Sequence, residues 1–355
     1  MNLAAIPSPT TAVWHLGPIP IRAYALCIVA GIVVACAVTE VRMRRRGAPP
    51  WAVLDIAVWA VPFGIVGARI YHVITSPSAY FGADGNFADA FMIWKGGLGI
   101  WGAVAGGALG AWFACRQLRI PLTFVADALA VGLPLAQAVG RLGNWFNNEL
   151  YGGRTDLPWA LTIYQINPET GKAETDADGN PISLGTYHPT FLYELLWNLG
   201  VALLVWYADK RFKLGRGRAF ALYVMAYTAG RAWIEAMRTD KALEFVGLRL
   251  NVWVSIVVFL GALLYFLRMR GPQEFLVPGE DGNYTVVTEQ EYAEYQAKEP
   301  AAEAAPASVE EADAVDEVNE PEQPAEPEAV EEERTERDES DEEPAPVDAK
   351  ARDDR

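Results

Sequence analysis

The chain has 355 residues, 52% of them hydrophobic, and a formal net charge of -16 at pH 7. That average joins two different polymers: residues 271–355 hold 29 Asp and Glu against 6 Lys and Arg, whereas residues 1–270 hold 16 against 23. The acidity belongs to the tail; the balance excludes one ordinary soluble globule, and it excludes nucleic acid as a partner, which would need a basic surface.

Seven apolar runs follow in chain order, at 23–41, 52–74, 98–115, 122–139, 190–208, 219–237 and 250–267. Each approaches the roughly 20 residues that cross about 30 Å of hydrocarbon at about 1.5 Å per residue. Backbone groups cannot go unpaired in lipid, so runs of this length predict helices. The expected fold class is an all-α integral membrane protein: seven transmembrane helices, a small extracytoplasmic cap and a disordered acidic cytoplasmic tail. The first 21 residues lack a basic start and a compact apolar core, so no cleavable signal peptide is expected.

Basic residues set the orientation. Arg42, Arg44, Arg45 and Arg46 follow the first run, Arg116 and Arg119 the third, Lys210 to Arg218 the fifth, and Arg268 and Arg270 the seventh. With seven spans these clusters share one side, which the positive-inside rule makes cytoplasmic. That orientation puts 1–22 outside the cell, 23–270 in the plasma membrane and 271–355 inside. The tail, rich in Glu, Ala and Pro, is expected to be a solvated spacer with at most a short helix near residues 289–297, dispensable beyond Arg270.

Cys27, Cys36 and Cys115 all lie inside predicted spans, and no CxxC pair exists. Packing is their expected role, with no disulfide, metal site or nucleophile of the protein's own.

Charged residues are costly inside a bilayer and point to function. Arg69 and His72 close the second span, as ligands of an outer site or as structural caps. Gly102, Gly106 and Gly110 in the third repeat every four residues, a spacing for close helix packing, and Gly96-Gly97 just before it reads as a re-entrant turn. The fourth span ends in Gln137, Arg141, Asn144 and Asn148 on one helical face, beside Asn147 and Glu149. The outer segment 152–187 is too long for a mere connector, with strand character at 160–167. Its Asp176–Asn180 stretch lacks the bidentate Glu of a calcium loop. His188 then leads into the fifth span, where Tyr193-Glu194 is another intramembrane polar pair. In the sixth span Tyr227, Arg231, Glu235 and Arg238 fall within an arc of about 80°, and Arg231 can pair with Glu235 at i,i+4. Two Arg-bearing faces near the outer boundary make a site for an anion, and guanidinium forks favour phosphate or carboxylate.

These segments resemble one family. Gly140-Arg141-Leu142-Gly143-Asn144-Trp145-Phe146-Asn147-Asn148-Glu149-Leu150-Tyr151-Gly152 is similar to the G-R-x-G-N-x-x-N-x-E-x-x-G signature of prolipoprotein diacylglyceryl transferases. His188-Pro189-Thr190-Phe191-Leu192-Tyr193-Glu194 resembles the family's H-P-[ST]-x-L-Y-E segment, residues 227–238 its Y-x-x-x-R-x-x-x-E-x-x-R stripe, and Tyr24 its early Tyr. The likeness covers about residues 10–270 and leaves the tail outside.

The resemblance implies transfer of the diacylglyceryl group of phosphatidylglycerol to the lipobox Cys of a preprolipoprotein signal peptide, forming a thioether and releasing glycerol phosphate, without a cofactor. It implies that Arg141 and Arg231 hold the lipid phosphate, with Asn144, Asn147, Glu149, Glu235, Arg238, Tyr227 and Tyr24 lining the site. A His often proposed as the family's base is replaced here by Trp101, which cannot accept a proton. His72, His188, Glu149, Glu235 and Tyr227 remain as acceptors or relays, with the Arg field carrying most of the thiol's activation and His188 or His72 as auxiliary. The residues alone also admit an anion transporter or channel, although the halves show no inverted repeat and the polar residues cluster at one leaflet.

Overall fold

Seven long helices occupy the seven apolar runs of the computed structural model, which describes residues 5–81, 85–238, 244–279 and 282–303. In chain order they are α1 (Ala23–Arg44) and α2 (Ala52–Thr75), then, after the single turn α3 (Ser78–Phe81), α4 (Ile100–Leu118), α5 (Leu122–Asn147), α6 (Thr190–Phe212), α7 (Arg218–Met237) and α8 (Leu250–Arg268). Five of them, α1, α2, α5, α6 and α8, are long and apolar enough to cross a membrane. The other two are diluted for visible reasons: α4 by its glycines and tryptophans, α7 by Arg218, Arg231 and Glu235. Large apolar side chains face outward along the bundle, among them Val29 and Val33 of α1 and Leu260 and Leu264 of α8. Helices that are apolar all round belong in a membrane.

Small residues set the helix pairs. In α4, Gly106 sits against Gly67 of α2, and a Cβ added at Gly106 would lie 3.2 Å from the Gly67 Cα. Gly102 and Gly110 pack on the same helix, so the four-residue glycine repeat is a packing stripe, as expected. α1 crosses α5 in the same manner: a Cβ on Gly31 would come within 2.9 Å of the Ala136 carbonyl oxygen. Cys115 is buried between these pairs, beside Ala114 and Phe124, and all three cysteines are free thiols.

The fold is mostly helical rather than all-α, because short strands close both ends. β1 (Ile6–Pro7) runs parallel to β4 (Leu161–Tyr164), which pairs antiparallel with β5 (Ser183–Tyr187). Leu161 and Ile163 of this sheet bury against Phe191, Leu142 and Trp145, seating it over the C-terminal end of α5. Two hairpins complete that end: β2 (Val13–Leu16) with β3 (Ile19–Arg22), and β6 (Glu244–Phe245) with β7 (Leu248–Arg249). The Asp176 carboxylate accepts hydrogen bonds from the backbone N–H groups of Asp178 at 3.0 Å and Asn180 at 2.8 Å, which makes that stretch a local turn.

At the opposite end the basic clusters gather. Asp209 of α6 meets Arg42 at 2.8 Å and Arg46 at 2.5 Å. Asp127 of α5 caps α7, accepting from the N–H groups of Gly217 at 2.8 Å and Phe220 at 3.1 Å. These bonds satisfy helix-end donors that would otherwise go unpaired.

The tail departs from expectation here. Residues expected to be disordered from Gly271 onward instead form the hairpin of β8 (Phe275–Pro278) and β9 (Tyr284–Val287), followed by α9 (Glu289–Glu303). The cause is apolar: Phe275 and Leu276 are buried, and Leu276 joins the cluster of Met43, Ala48 and Phe124. The Leu276 N–H donates to the Arg46 carbonyl at 2.8 Å. Thr288 and Glu291 cap α9 reciprocally, the Glu291 carboxylate accepting from the Thr288 N–H at 2.7 Å. That bond holds the Glu291 carboxyl below its usual range. Residues through Glu303 fall in one compact unit with the helices, so the ordered unit extends about 30 residues past the expected boundary. The remainder of the acidic tail lies outside the described residues.

Candidate functional site

The polar stripes of α5 and α7 face one another across α6, and Glu194 of α6 joins them. Its Oε2 lies 2.7 Å from the Arg141 Nε, and its Oε1 lies 3.5 Å from the Arg231 guanidinium. Glu194 is 5% exposed, so neither guanidinium is screened from it by bulk water. The two arginines that sequence spacing places on separate helices therefore meet at one carboxylate.

From Arg141 the network runs outward along the signature segment. The guanidinium donates to the Asn144 side-chain oxygen at 3.3 Å. The Asn144 and Asn147 amides donate to one oxygen of Glu149, at 3.1 and 3.0 Å. Asn148 turns away instead: its amide donates to the Pro9 carbonyl and its oxygen accepts from the Tyr164 N–H at 3.0 Å, tying the end of α5 to the cap. Asn148 ends the helix with φ of 52°, a conformation Asn tolerates better than most residues. Gly143 lets α1 approach, since a Cβ there would lie 2.6 Å from the Tyr24 ring.

From Arg231 the network runs to Glu235, 2.6 Å away at i,i+4. Glu235 is fully buried, and both of its oxygens are occupied. One faces Arg231 and Arg238, the latter at 3.3 Å; the other meets Arg249 at 3.2 Å and accepts from the Asn251 amide at 3.0 Å. Among the described residues, Glu194 and Glu235 thus tie Arg141, Arg231, Arg238 and Arg249 into one ionic network, which Glu149 joins through the Asn144 amide. Tyr227 lines a small cavity with Glu194, Asn198 and Arg231, and its ring lies 5.9 Å from that of Tyr223, whose hydroxyl accepts from Gln137.

The two histidines separate. His188 sits where β5 enters α6, its Nδ1 3.2 Å from the Tyr193 hydroxyl, one residue from Glu194. His72 belongs to another neighbourhood: its ring packs edge-on to Tyr80 at 6.0 Å and beside Gly97, and no contact among the described residues links it to Arg141 or Arg231. Arg69 is a structural clasp. It donates to the carbonyls of Asp89, Ala90, Gly96 and Gly97, folding the 87–97 loop back onto α2, with Gly96 and Gly97 at φ of 87° and 74°. Trp101 opens α4 and is 44% exposed.

Sequence reasoning marked Glu194 as a buried polar residue without assigning it to the anion site, and it missed Arg249 and Asn251. Their signal was available. A charged residue and an amide at the non-basic end of the seventh span need partners, and Glu235 supplies them.

The family model for prolipoprotein diacylglyceryl transferase matches residues 11–268, nearly all of the helical part of the chain. The chain belongs to that family. It is 57% identical over 285 residues to the phosphatidylglycerol–prolipoprotein diacylglyceryl transferase of Streptomyces griseus, covering 79% of this chain and 84% of that one. Proteins of the same name from Corynebacterium efficiens and Mycobacteroides abscessus are 56% and 54% identical, over 77% and 75% of this chain and 85% and 79% of theirs. The chain is thus a membrane protein of a transferase family, and its arginine-bridged carboxylate lies within the matched region.

Proposed function

We propose that the protein transfers the diacylglyceryl group of phosphatidylglycerol to the lipobox cysteine of preprolipoproteins. The observation that carries this reading is the meeting of Arg141 and Arg231 at Glu194, in a chain whose relatives bear that activity in their names. The seven helices all span the plasma membrane, with the N-terminal segment and the 152–187 cap outside and the basic clusters in the cytoplasm. The arginine site then faces the outer leaflet, where a lipid headgroup and a signal peptide can both reach it.

The chemistry follows from charge. Thiolate sulfur attacks the glycerol carbon, a C–S bond forms, and the C–O bond to phosphate breaks. The phosphodiester carries one negative charge and the departing glycerol phosphate moves toward two. Fixed guanidiniums therefore stabilise the transition state more than the bound lipid. Arg141 and Arg231 grip the phosphate, with Asn144, Asn147 and Glu149 shaping the wall beside it and Tyr24 and Tyr227 flanking it. Glu235 and Arg238 act as positioning residues, holding Arg231 from behind. A free thiol with pKa near ~8.5 is mostly protonated at neutral pH, so an acceptor assists. His188, one hydrogen bond from Tyr193, the residue that precedes Glu194, suits that role better than His72.

The test is mass spectrometry of a lipobox peptide incubated with the purified protein in phosphatidylglycerol vesicles. The expected product carries one diacylglyceryl group on its cysteine, and an unmodified peptide would overturn the reading.

A further inference from the structure

A second cationic site lies at the other end of the helices. A cleft of about 340 Å³ opens between the C-terminal ends of α1 and α6, roofed by the 271–303 segment. That volume is of the size that receives small ligands. Arg42, Arg45, Arg46, Lys210 and Lys213 line it against only Asp209 and Glu289. Asp209 is already committed to Arg42 and Arg46, and its second oxygen accepts from the Gln273 amide at 3.0 Å. Glu289 pairs with Lys213 at 2.7 Å. Among the described residues, no carboxylate meets Arg45 or Lys210.

The wall is preorganised. Arg42 is pinned by the carbonyls of Ala128 at 2.8 Å and Asp127 at 3.0 Å as well as by Asp209, and the Arg46 side chain is 7% exposed. Two largely buried guanidiniums are therefore fixed before any ligand arrives, which lowers the entropy lost on binding. Trp206 on the rim is half-exposed, with the Lys210 ammonium 5.4 Å from its ring centre, the arrangement of an aromatic at a membrane interface. Along α5, thirteen residues separate Ala128 at this cleft from Arg141, about 20 Å at helical rise, so the two sites cannot share one headgroup.

We propose that this cleft binds the phosphate headgroup of an anionic phospholipid in the cytoplasmic leaflet. Basic pockets between membrane helices on the cytoplasmic side recognise such headgroups. The leaflet assignment rests on the orientation given above; the chemistry of the cleft does not. A phosphate here bridges Arg45 and Lys210 to the fixed pair, beside Gln273 and Glu289.

The experiment uses the full chain released from phosphatidylcholine vesicles containing phosphatidic acid, with retained lipid counted by native mass spectrometry. Wild-type protein and Arg141→Ala should retain one phosphatidic acid. The double variant Arg45→Ala with Lys210→Ala should lose retention at least tenfold while still lipidating peptide. Equal retention in that double variant would overturn the proposal. So would displacement of the lipid by soluble glycerol phosphate, which would mark a free-phosphate site. A tenfold rise in retention on truncation after Glu303 would make the acidic tail the occupant, and that too would overturn it. Turnover of the same variants is followed in parallel in phosphatidylglycerol vesicles, so a failure of the transferase reading registers there and leaves the retention result intact.

Discussion

The Arg141 guanidinium and the Glu194 carboxylate meet at 2.7 Å, and that carboxylate also faces Arg231 at 3.5 Å. Glu194 therefore sets both the distance between the two forks and the net charge they present. Glu194→Gln keeps the shape and removes one negative charge from between the two guanidiniums. The bound lipid gains from the added charge while the transition state loses the fixed geometry, so KM and kcat should fall together, kcat by about tenfold or more. Steady-state kinetics over a phosphatidylglycerol titration reads the split. An unchanged kcat would remove Glu194 from the machinery.

Arginine at these positions is asked for more than charge. Arg141 engages Glu194 through Nε while reaching Asn144 through a terminal amine, a geometry that a lysine ammonium cannot copy. Arg141→Lys and Arg231→Lys should each lower kcat/KM by roughly 100- to 1,000-fold, the range seen when one preorganised oxyanion donor is lost. Melting temperature should stay near that of the wild type. Near-normal turnover in either variant would reduce that residue's role to simple charge.

Much of this was legible in sequence, for physical reasons that differ by element. Apolar run length located all seven helices, five of them long and apolar enough to cross a membrane, where lipid leaves the backbone no other option. Helical spacing put Arg231 and Glu235 on one face, and a four-residue glycine repeat marked α4 for close helix packing without naming α2 as its partner. What failed was anything needing a third helix. Glu194 looked like an isolated intramembrane carboxylate because its two partners lie 53 and 37 residues away in the chain. Arg69 stayed open between site ligand and structural cap because its five carbonyl partners belong to a loop with no sequence signal of folding back. The 271–303 segment was hidden by composition: an acidic average concealed the few apolar residues, Phe275 and Leu276, that bury and fold it.

Glu235 offers a stability test distinct from catalysis. It is the anion shared by Arg231, Arg238 and Arg249, and it is fully buried. Glu235→Ala leaves three guanidiniums without their common partner, a loss of about 3–5 kcal/mol. Thermal unfolding in detergent should move down accordingly, and activity should fall with it. Glu235→Gln, which keeps hydrogen-bond acceptance at one oxygen, should recover part of the melting temperature and little of the turnover.

The two histidines should behave differently. His188→Gln removes the imidazole beside the Tyr193 hydroxyl and should lower maximal turnover roughly tenfold. His72→Gln should leave turnover unchanged, since its neighbours are Tyr80 and Gly97. Full turnover in the double variant would remove both histidines from proton transfer and leave the arginine field to activate the thiol alone.

Truncation separates the ordered part of the C-terminal region from the rest of the acidic tail. A stop after Arg270 removes Leu276, which is fully buried against Met43 and Ala48, and it takes away Gln273 from Asp209. Loss of one buried Leu-sized side chain alone costs about 2–5 kcal/mol. The Arg42–Asp209–Arg46 cluster would at the same time open to water. That variant should melt lower and yield less folded protein, against the expectation that everything beyond Arg270 is dispensable. A stop after Glu303 keeps the hairpin and α9 and should retain wild-type melting and lipidation. Identical melting curves for the two truncations would show that the hairpin rests on the helices without stabilising them.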